Sequence, residues 1–191
     1  NGELTKVFFD YINYTFHLDL IEFNTVIREL AAHMEDLEGL IDAVGALECA
    51  TALASFRTLS EGSWCVPELK KGGRASLTCE NIFHPLISEP VKNSITAERG
   101  VLLTGSNASG KSTFLKTVAV NAILAQTIDT CMADSWSGNF FRICTSMALR
   151  DDLEGNESYF IVEIKSLKRI LDAADGKTPI LCFVDEVLRG T

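Results

Sequence analysis

What this sequence lacks narrows its function before any motif is read. No uninterrupted apolar run approaches the roughly 18 residues that a membrane-spanning helix needs. The N-terminus has no basic segment leading into an apolar stretch and a small-residue cleavage site. Neither a bilayer anchor nor a secretory leader is expected, and the location read from this is the cytoplasm. Paired cysteines are also missing. The six cysteines, at positions 49, 65, 79, 131, 144 and 182, fall singly, without a Cys-x-x-Cys pair or a histidine at metal spacing. They read as small core residues kept reduced rather than as metal ligands or a disulfide framework. Positive charge is short as well: 17 Lys and Arg stand against 26 Asp and Glu, for a formal charge of -9. Such a chain repels phosphate at long range, so overall charge gives no argument for nucleic-acid affinity. The basic cluster Lys70, Lys71 and Arg74 reads as a solvated loop. There is no internal repeat and no low-complexity tract.

What is present is enough apolar material, 47% of 191 residues, to bury a core. Phe23, Ile27, Leu30, Met34, Leu37, Ile41 and Val44 recur in alternating steps of four and three, with Glu22, Arg28, Glu29, Glu35, Asp36 and Glu38 off that stripe. That period predicts a long amphipathic helix. Gly45 interrupts it, and residues 46–56 read as a second helix or a continuation; the first twenty residues also read as helical. Gly62, Pro67, Gly72 and Gly73 then supply turn chemistry, placing a boundary between about residues 60 and 75. Beyond it, 75–79, 101–103, 140–144 and 180–184 read as strands, and 111–126 and 163–174 as helices. Strands alternating with helices predict an α/β domain with a mostly parallel sheet.

The segment Gly105-Ser106-Asn107-Ala108-Ser109-Gly110-Lys111-Ser112 fits G-x-x-x-x-G-K-[ST] at each fixed position. The glycines let the backbone wrap so that successive N–H groups converge on phosphate oxygens, and the following helix adds its positive N-terminal end. Lys111 is the candidate to neutralise the β- and γ-phosphates, and the Ser112 hydroxyl to ligate Mg²⁺. With Thr113, these residues form the candidate nucleotide-binding loop. The apolar strand at 180–184 delivers Asp185 and Glu186 at its C-terminal end, where ligands sit on parallel sheets. Asp185 is the candidate to hold Mg²⁺, directly or through water, and Glu186 to orient and deprotonate the attacking water. No Asn-Lys-x-Asp guanine-recognition segment is present, which favours ATP over GTP.

These residues resemble the ATPase region of the MutS family of DNA mismatch-repair proteins, a branch of the ABC-type ATPases. Thr104-Gly105-Ser106-Asn107-Ala108-Ser109-Gly110-Lys111-Ser112-Thr113 is similar to that family's T-G-P-N-M-G-G-K-S-T. Asp151-Asp152-Leu153 followed by Glu157-Ser158-Tyr159-Phe160-Ile161-Val162-Glu163 is similar to its D-D-L and R-S-T-F-M-V-E. Asp185-Glu186-Val187-Leu188-Arg189-Gly190-Thr191 resembles D-E-I-G-R-G-T, and His84-Pro85 its H-P signature. The resemblance implies a helical lever and core segment over 1–65 and the N-terminal part of a P-loop ATPase domain over 66–191. It implies a homodimer through the ATPase domain in which Ser158 contacts the nucleotide held by the partner. ATP and Mg²⁺ are the implied cofactors, and DNA is the implied partner, through regions outside this chain. Taken alone, Ser158 reads as an N-cap, and for His84 a structural hydrogen-bonding role stands beside a nucleotide contact.

Departures from the family pattern fall at Ser106, Ala108, Ser109, Glu157 and Leu188. None removes a catalytic group, and together they imply a divergent MutS-like branch. The Phe-x-Glu wedge motif of a mismatch-reading domain is absent. The distal strands, switch histidine and dimerising helices implied by the resemblance lie beyond Thr191, so the chain is expected to be a truncated piece with weak or no hydrolysis. Two other readings remain: a nucleotide-binding fragment without turnover, and an ABC-type ATPase outside mismatch repair, whose L-S-G-G-Q signature is not found.

Overall fold

A computed structural model describes residues 2–60, 62–106, 109–147 and 159–185. By internal contacts the chain divides into two units, Asn1–Ser55 and Phe56–Thr191, and each is described by itself.

The first unit is helical: α1 spans Gly2–Phe16, α2 Leu18–Ala32, and α3 Met34–Leu59, whose last turn enters the second unit. The period-3.6 stripe forms helix as its spacing requires, but in two pieces. The break is at His33 (φ -117°, ψ 24°), whose N–H is shared between the Glu29 and Leu30 carbonyls at 3.2 Å each. Gly45 does not interrupt α3. A glycine within a helix costs only about 0.5–1 kcal/mol relative to alanine, too little to end a helix of 26 residues. The stripe itself lies open, with Phe23 62% and Ile41 61% exposed and no buried residue in α2 or α3. In length and composition α3 could cross a bilayer, a test that core helices of soluble proteins also pass. This qualifies the reading based on uninterrupted runs; the charged Asp42 and Glu48 sit in mid-helix.

The second unit is mixed α/β with two sheets. Strands β1 (Glu68–Lys70), β2 (Leu77–Ile82), β3 (Asn93–Ala97) and β4 (Ser135–Asn139) form a sheet in the order β1-β4-β2-β3. Only β1 and β4 run parallel; β2 is antiparallel to both of its neighbours. The expected mostly parallel sheet therefore does not hold here. Parallel neighbours need a crossover, usually a helix, and β1, β2 and β3 follow one another before α4 (Lys111–Ile128) begins. Strand β5 (Arg142–Ser146) and strand β6 (Ile180–Val184) do run parallel, with α5 (Tyr159–Asp172) between them in the chain.

Helix α4 supplies the centre of the core. Its Val118, Ala119, Ala122 and Ala125 lie in one cluster with Leu77, Cys79 and Ile82 of β2, Trp136 of β4 and Phe183 of β6. Three alanines on that face let the helix approach the sheet closely, and burying Val118 is worth about 1.5–3 kcal/mol relative to leaving it exposed.

Residues 101–103, which read as a strand, are not one. Val101 is 50% and Leu102 88% exposed. An apolar run becomes a strand only when its backbone finds a ladder. Among the described residues β6 pairs with β5 alone. Val101 and Leu103 instead line, with Leu181 and Phe183, a cavity of about 390 Å³.

Cys79 and Cys131 are buried and unpaired, in line with the reading of reduced core residues, whereas Cys49 and Cys182 are exposed. Cys65 and Cys131 exchange backbone hydrogen bonds of 2.9 Å in each direction. Burial raises all three core thiols above their ordinary value, Cys79 to about 11.

Candidate phosphate-binding site

The loop before α4 is built as its residue types predict. Gly110 sits just ahead of the helix in the left-handed region (φ 88°, ψ 9°), where a side chain is strained, and no side chain caps the helix. The first-turn amides, including those of Lys111, Ser112 and Thr113, therefore have no helical acceptor and face the loop with the positive end of the helix dipole. At Gly105 an added Cβ would stand 2.9 Å from Ser109 Oγ, so the Ser109 hydroxyl would have to turn aside. Ser109 N–H donates to the Ser106 carbonyl at 3.3 Å, closing the near side of the loop. Asn107 and Ala108 lie outside the described residues.

Lys111 is folded back over this loop. Its Nζ donates to the carbonyls of Gly105 (2.8 Å) and Ser106 (2.6 Å) and reaches Ser109 Oγ at 3.4 Å. The ammonium thus stands at the loop, held by acceptors that an anion's oxygens could replace with stronger charge-assisted bonds.

The loop forms one wall of a cleft of about 760 Å³, with Gly105, Ser106, Ser109, Gly110, Lys111 and Thr113 in its lining. Its lining also includes His84, Ile87, Glu89, Pro90, Val91 and Asn93. His84 makes the structural bond read for it, its Nδ1 accepting the Leu86 N–H at 3.2 Å, and it also lines the cleft. Its position is fixed from α4 by Asn121, a residue that the sequence did not single out. Asn121 is fully buried; its Nδ2 donates to the Phe83 and Thr117 carbonyls at 3.0 Å each, and its Oδ1 accepts the Met132 N–H at 2.6 Å. The available signal was one amide side chain among Val118, Ala119, Ala122 and Ala125 on an otherwise apolar face.

The metal candidates are not brought together in this cleft. Ser112 is half-buried in the first turn of α4, and Asp185, also half-buried, ends β6 with its backbone N–H on the Ser146 carbonyl at 3.1 Å. Among the described residues the cleft lining includes neither. Glu186 and Ser158, with 151–157 and 187–191, lie outside the described residues.

Comparison with known proteins points to one family. Residues 101–191 match the family model described as MutS domain V. The chain is 32% identical over 182 residues to the DNA mismatch repair protein MutS of Natronomonas pharaonis, covering 91% of this chain and 20% of that protein. It is 36% identical over 177 residues to the DNA mismatch repair protein MutS of Haloquadratum walsbyi, covering 88% and 18%. It is 31% identical over 188 residues to the human MutS protein homolog 4, covering 92% and 19%. The chain thus spans about a fifth of the length of the curated relatives it matches.

Proposed function

We propose that this chain, which belongs to the MutS family, binds ATP with Mg²⁺ on the loop at 105–113 and supplies half of an ATPase site. The observation that carries this reading is the uncapped start of α4, with Gly110 left-handed and Lys111 Nζ held on the loop carbonyls beside an open cleft. Those features suit a triphosphate: amides and an ammonium converge where its oxygens would lie, and no side chain competes for the helix end. Ile87, Pro90 and Val91 across the cleft offer an apolar wall for the base.

In this reading residues 1–65 are the lever and core segment and 66–191 the beginning of the ATPase domain. Ser112 and Asp185 are hard oxygen donors of the kind Mg²⁺ takes, and bound Mg²⁺ would supply charge neutralisation at the β- and γ-phosphates. Lys111 holds the γ-phosphate, and Glu186 accepts a proton from the attacking water. Ser158 acts on the nucleotide of a second subunit, so the site is complete only in a dimer. In the whole protein, turnover drives the helical levers against DNA, in mismatch repair or a related repair or recombination process, in the cytoplasm and without a membrane partner. The chain by itself binds nucleotide with little or no turnover.

The test is phosphate release by the whole protein. Glu186→Gln is expected to keep ATP binding while losing hydrolysis; unchanged hydrolysis in that variant refutes the assignment. Robust turnover by the 191-residue chain alone would contradict the two-subunit site.

A further inference from the structure

Arg57, in the last turn of α3, grips the far end of α4. Its Nε and Nη2 both donate to Thr130 Oγ1, at 3.0 and 2.8 Å, and Nη2 also donates to the Asp129 carbonyl at 3.1 Å. The guanidinium lies over the Trp64 ring, 4.3 Å from its centroid, where cation–π attraction holds its plane. Thr130 is fully buried, and its own hydroxyl donates a hydrogen bond to the Ile128 carbonyl at 2.9 Å. Asp129, left-handed at φ 52° and ψ 43°, ends α4 there. The neighbours of Trp64 and Thr130, Cys65 and Cys131, are tied by their paired backbone bonds, so the surface under the guanidinium is fixed on both sides.

The two ends of α4 thus carry complementary features. At the N-terminus is the phosphate loop, where an anion is stabilised by the helix dipole; at the C-terminus a cation is stabilised by the same dipole. Eighteen residues at 1.5 Å rise separate them by about 27 Å. Between them, Asn121 fastens the helix to Phe83 and Met132 and can serve as its pivot.

We infer that Arg57 is the residue through which occupancy of the phosphate loop reaches the end of α3. This rests on the nucleotide reading of that loop. When a phosphate replaces the Gly105 and Ser106 carbonyls as the partner of Lys111, the first turn of α4 draws onto the anion. A hydrogen-bonded helix turns or shifts as a unit, so Asp129 and Thr130 move at the other end. A planar fork with three bonds, stacked on an indole, follows its acceptors with little slack, which a flexible ammonium would not do. The last turn of α3 is then held more tightly in the nucleotide-bound state. Arg57 touches no substrate; it is a positioning residue for α3.

The experiment is hydrogen exchange of the whole 191-residue chain with and without saturating ATP and Mg²⁺, with binding measured separately by calorimetry. In the wild type, ATP is expected to slow exchange at the loop and also at residues 56–60, the latter by about fivefold or more, the lower end of ordinary coupling between sites. Arg57→Met is expected to keep the loop protection and, within about twofold, the affinity, while losing the effect at 56–60. Arg57→Lys, which keeps the charge but not the fork, is expected to lose it too. Thr130→Val removes the shared acceptor with little change of shape and guards against an unstable Arg57 variant; the response at 56–60 is again expected to vanish. Loop protection without a response at 56–60 in the wild type overturns the inference and leaves the nucleotide reading intact. An undiminished response in either Arg57 variant or in Thr130→Val overturns it as well. No protection anywhere, with no heat of binding, overturns both.

Discussion

Lys111 Nζ stands 2.6 Å from the Ser106 carbonyl oxygen, so the cation of the phosphate loop is held by the loop's own backbone. Replacing that carbonyl by a phosphate oxygen exchanges a neutral acceptor for a charged one. Bonds to charged groups are worth about 1.5–3 kcal/mol, so Lys111→Met is expected to weaken ATP binding by roughly 10- to 150-fold. Lys111→Arg should not restore it, because a planar fork spreads its donors and charge where the lysine presents one compact ammonium. Fluorescence titration with a labelled ATP analogue checks both variants.

Gly110→Ala tests the backbone of the same loop. Nothing lies within 4 Å of a Cβ at this position, yet φ is +88°, so the cost is conformational rather than steric. A left-handed non-glycine residue costs about 1–2 kcal/mol, which for a chain of this size lowers Tm by roughly 2–8 °C. Nucleotide affinity should fall with it, since relaxing the strain rotates the first amides of α4 away from the cleft. Thermal unfolding alongside the same titration separates the two effects. An unchanged Tm would show that the left-handed start of α4 is not required.

Asn121→Leu removes three hydrogen bonds from a fully buried site. It leaves the Met132 N–H and the Phe83 carbonyl without their partner, at about 1–3 kcal/mol for each unsatisfied buried group. A loss of about 2–5 kcal/mol is expected in urea unfolding, together with greater exchange of the Leu86 and Ile87 amides, because the anchor of the His84 turn is gone. Stability within about 0.5 kcal/mol of the wild type, the usual range for surface changes, would contradict the clamp.

The cysteines give a prediction with a sign in pH. Burial raises the Cys79 thiol from 9.0 to about 11 and pushes Cys131 in the same direction. A group that binds its proton more tightly when folded contributes stability fully present below pH 9, and lost as pH rises towards 11. Stability is therefore expected to fall over that alkaline window, and less so in Cys79→Ala than in the wild type. At pH 8, a thiol reagent should modify the exposed Cys49 first, then Cys182, whose thiol is pushed up by burial, and reach Cys79 and Cys131 only on unfolding. Mass spectrometry of the early adducts reads the order.

Where the sequence revealed this structure, chemistry is concentrated in few residues. The run Ile180 to Val184 forms β6 over the same five residues, because a short continuous apolar stretch bounded by Pro179 and Asp185 has little other use. The turn into α4 was legible for a similar reason: Gly110 and Lys111 each have one local task. Strand β4, Ser135–Asn139, was not legible. Its sequence Ser-Trp-Ser-Gly-Asn has little strand propensity, and it is held by pairing with β2 on one side and β1 on the other. Strand β3 is likewise half exposed and fixed by β2.

The opposite failure, at residues 101–103, has the same cause, since an apolar run has no strand to join until a neighbouring edge accepts it. Arg57 and Asn121 were missed because their partners are 73 and 38 residues away in the chain; no spacing rule reaches that far. Asp185 sits at the end of its strand, as read, but which groups face it depends on a register that the strand alone does not set.

The central claim is that the start of α4 is a nucleotide-binding site. Calorimetric titration of ATP with Mg²⁺ into the purified chain, beside the Lys111→Met variant, tests it most directly. The account predicts saturable one-to-one binding to the wild type that is lost or much weakened in the variant. No heat of binding in the wild type, or equal affinity in the two proteins, would contradict it.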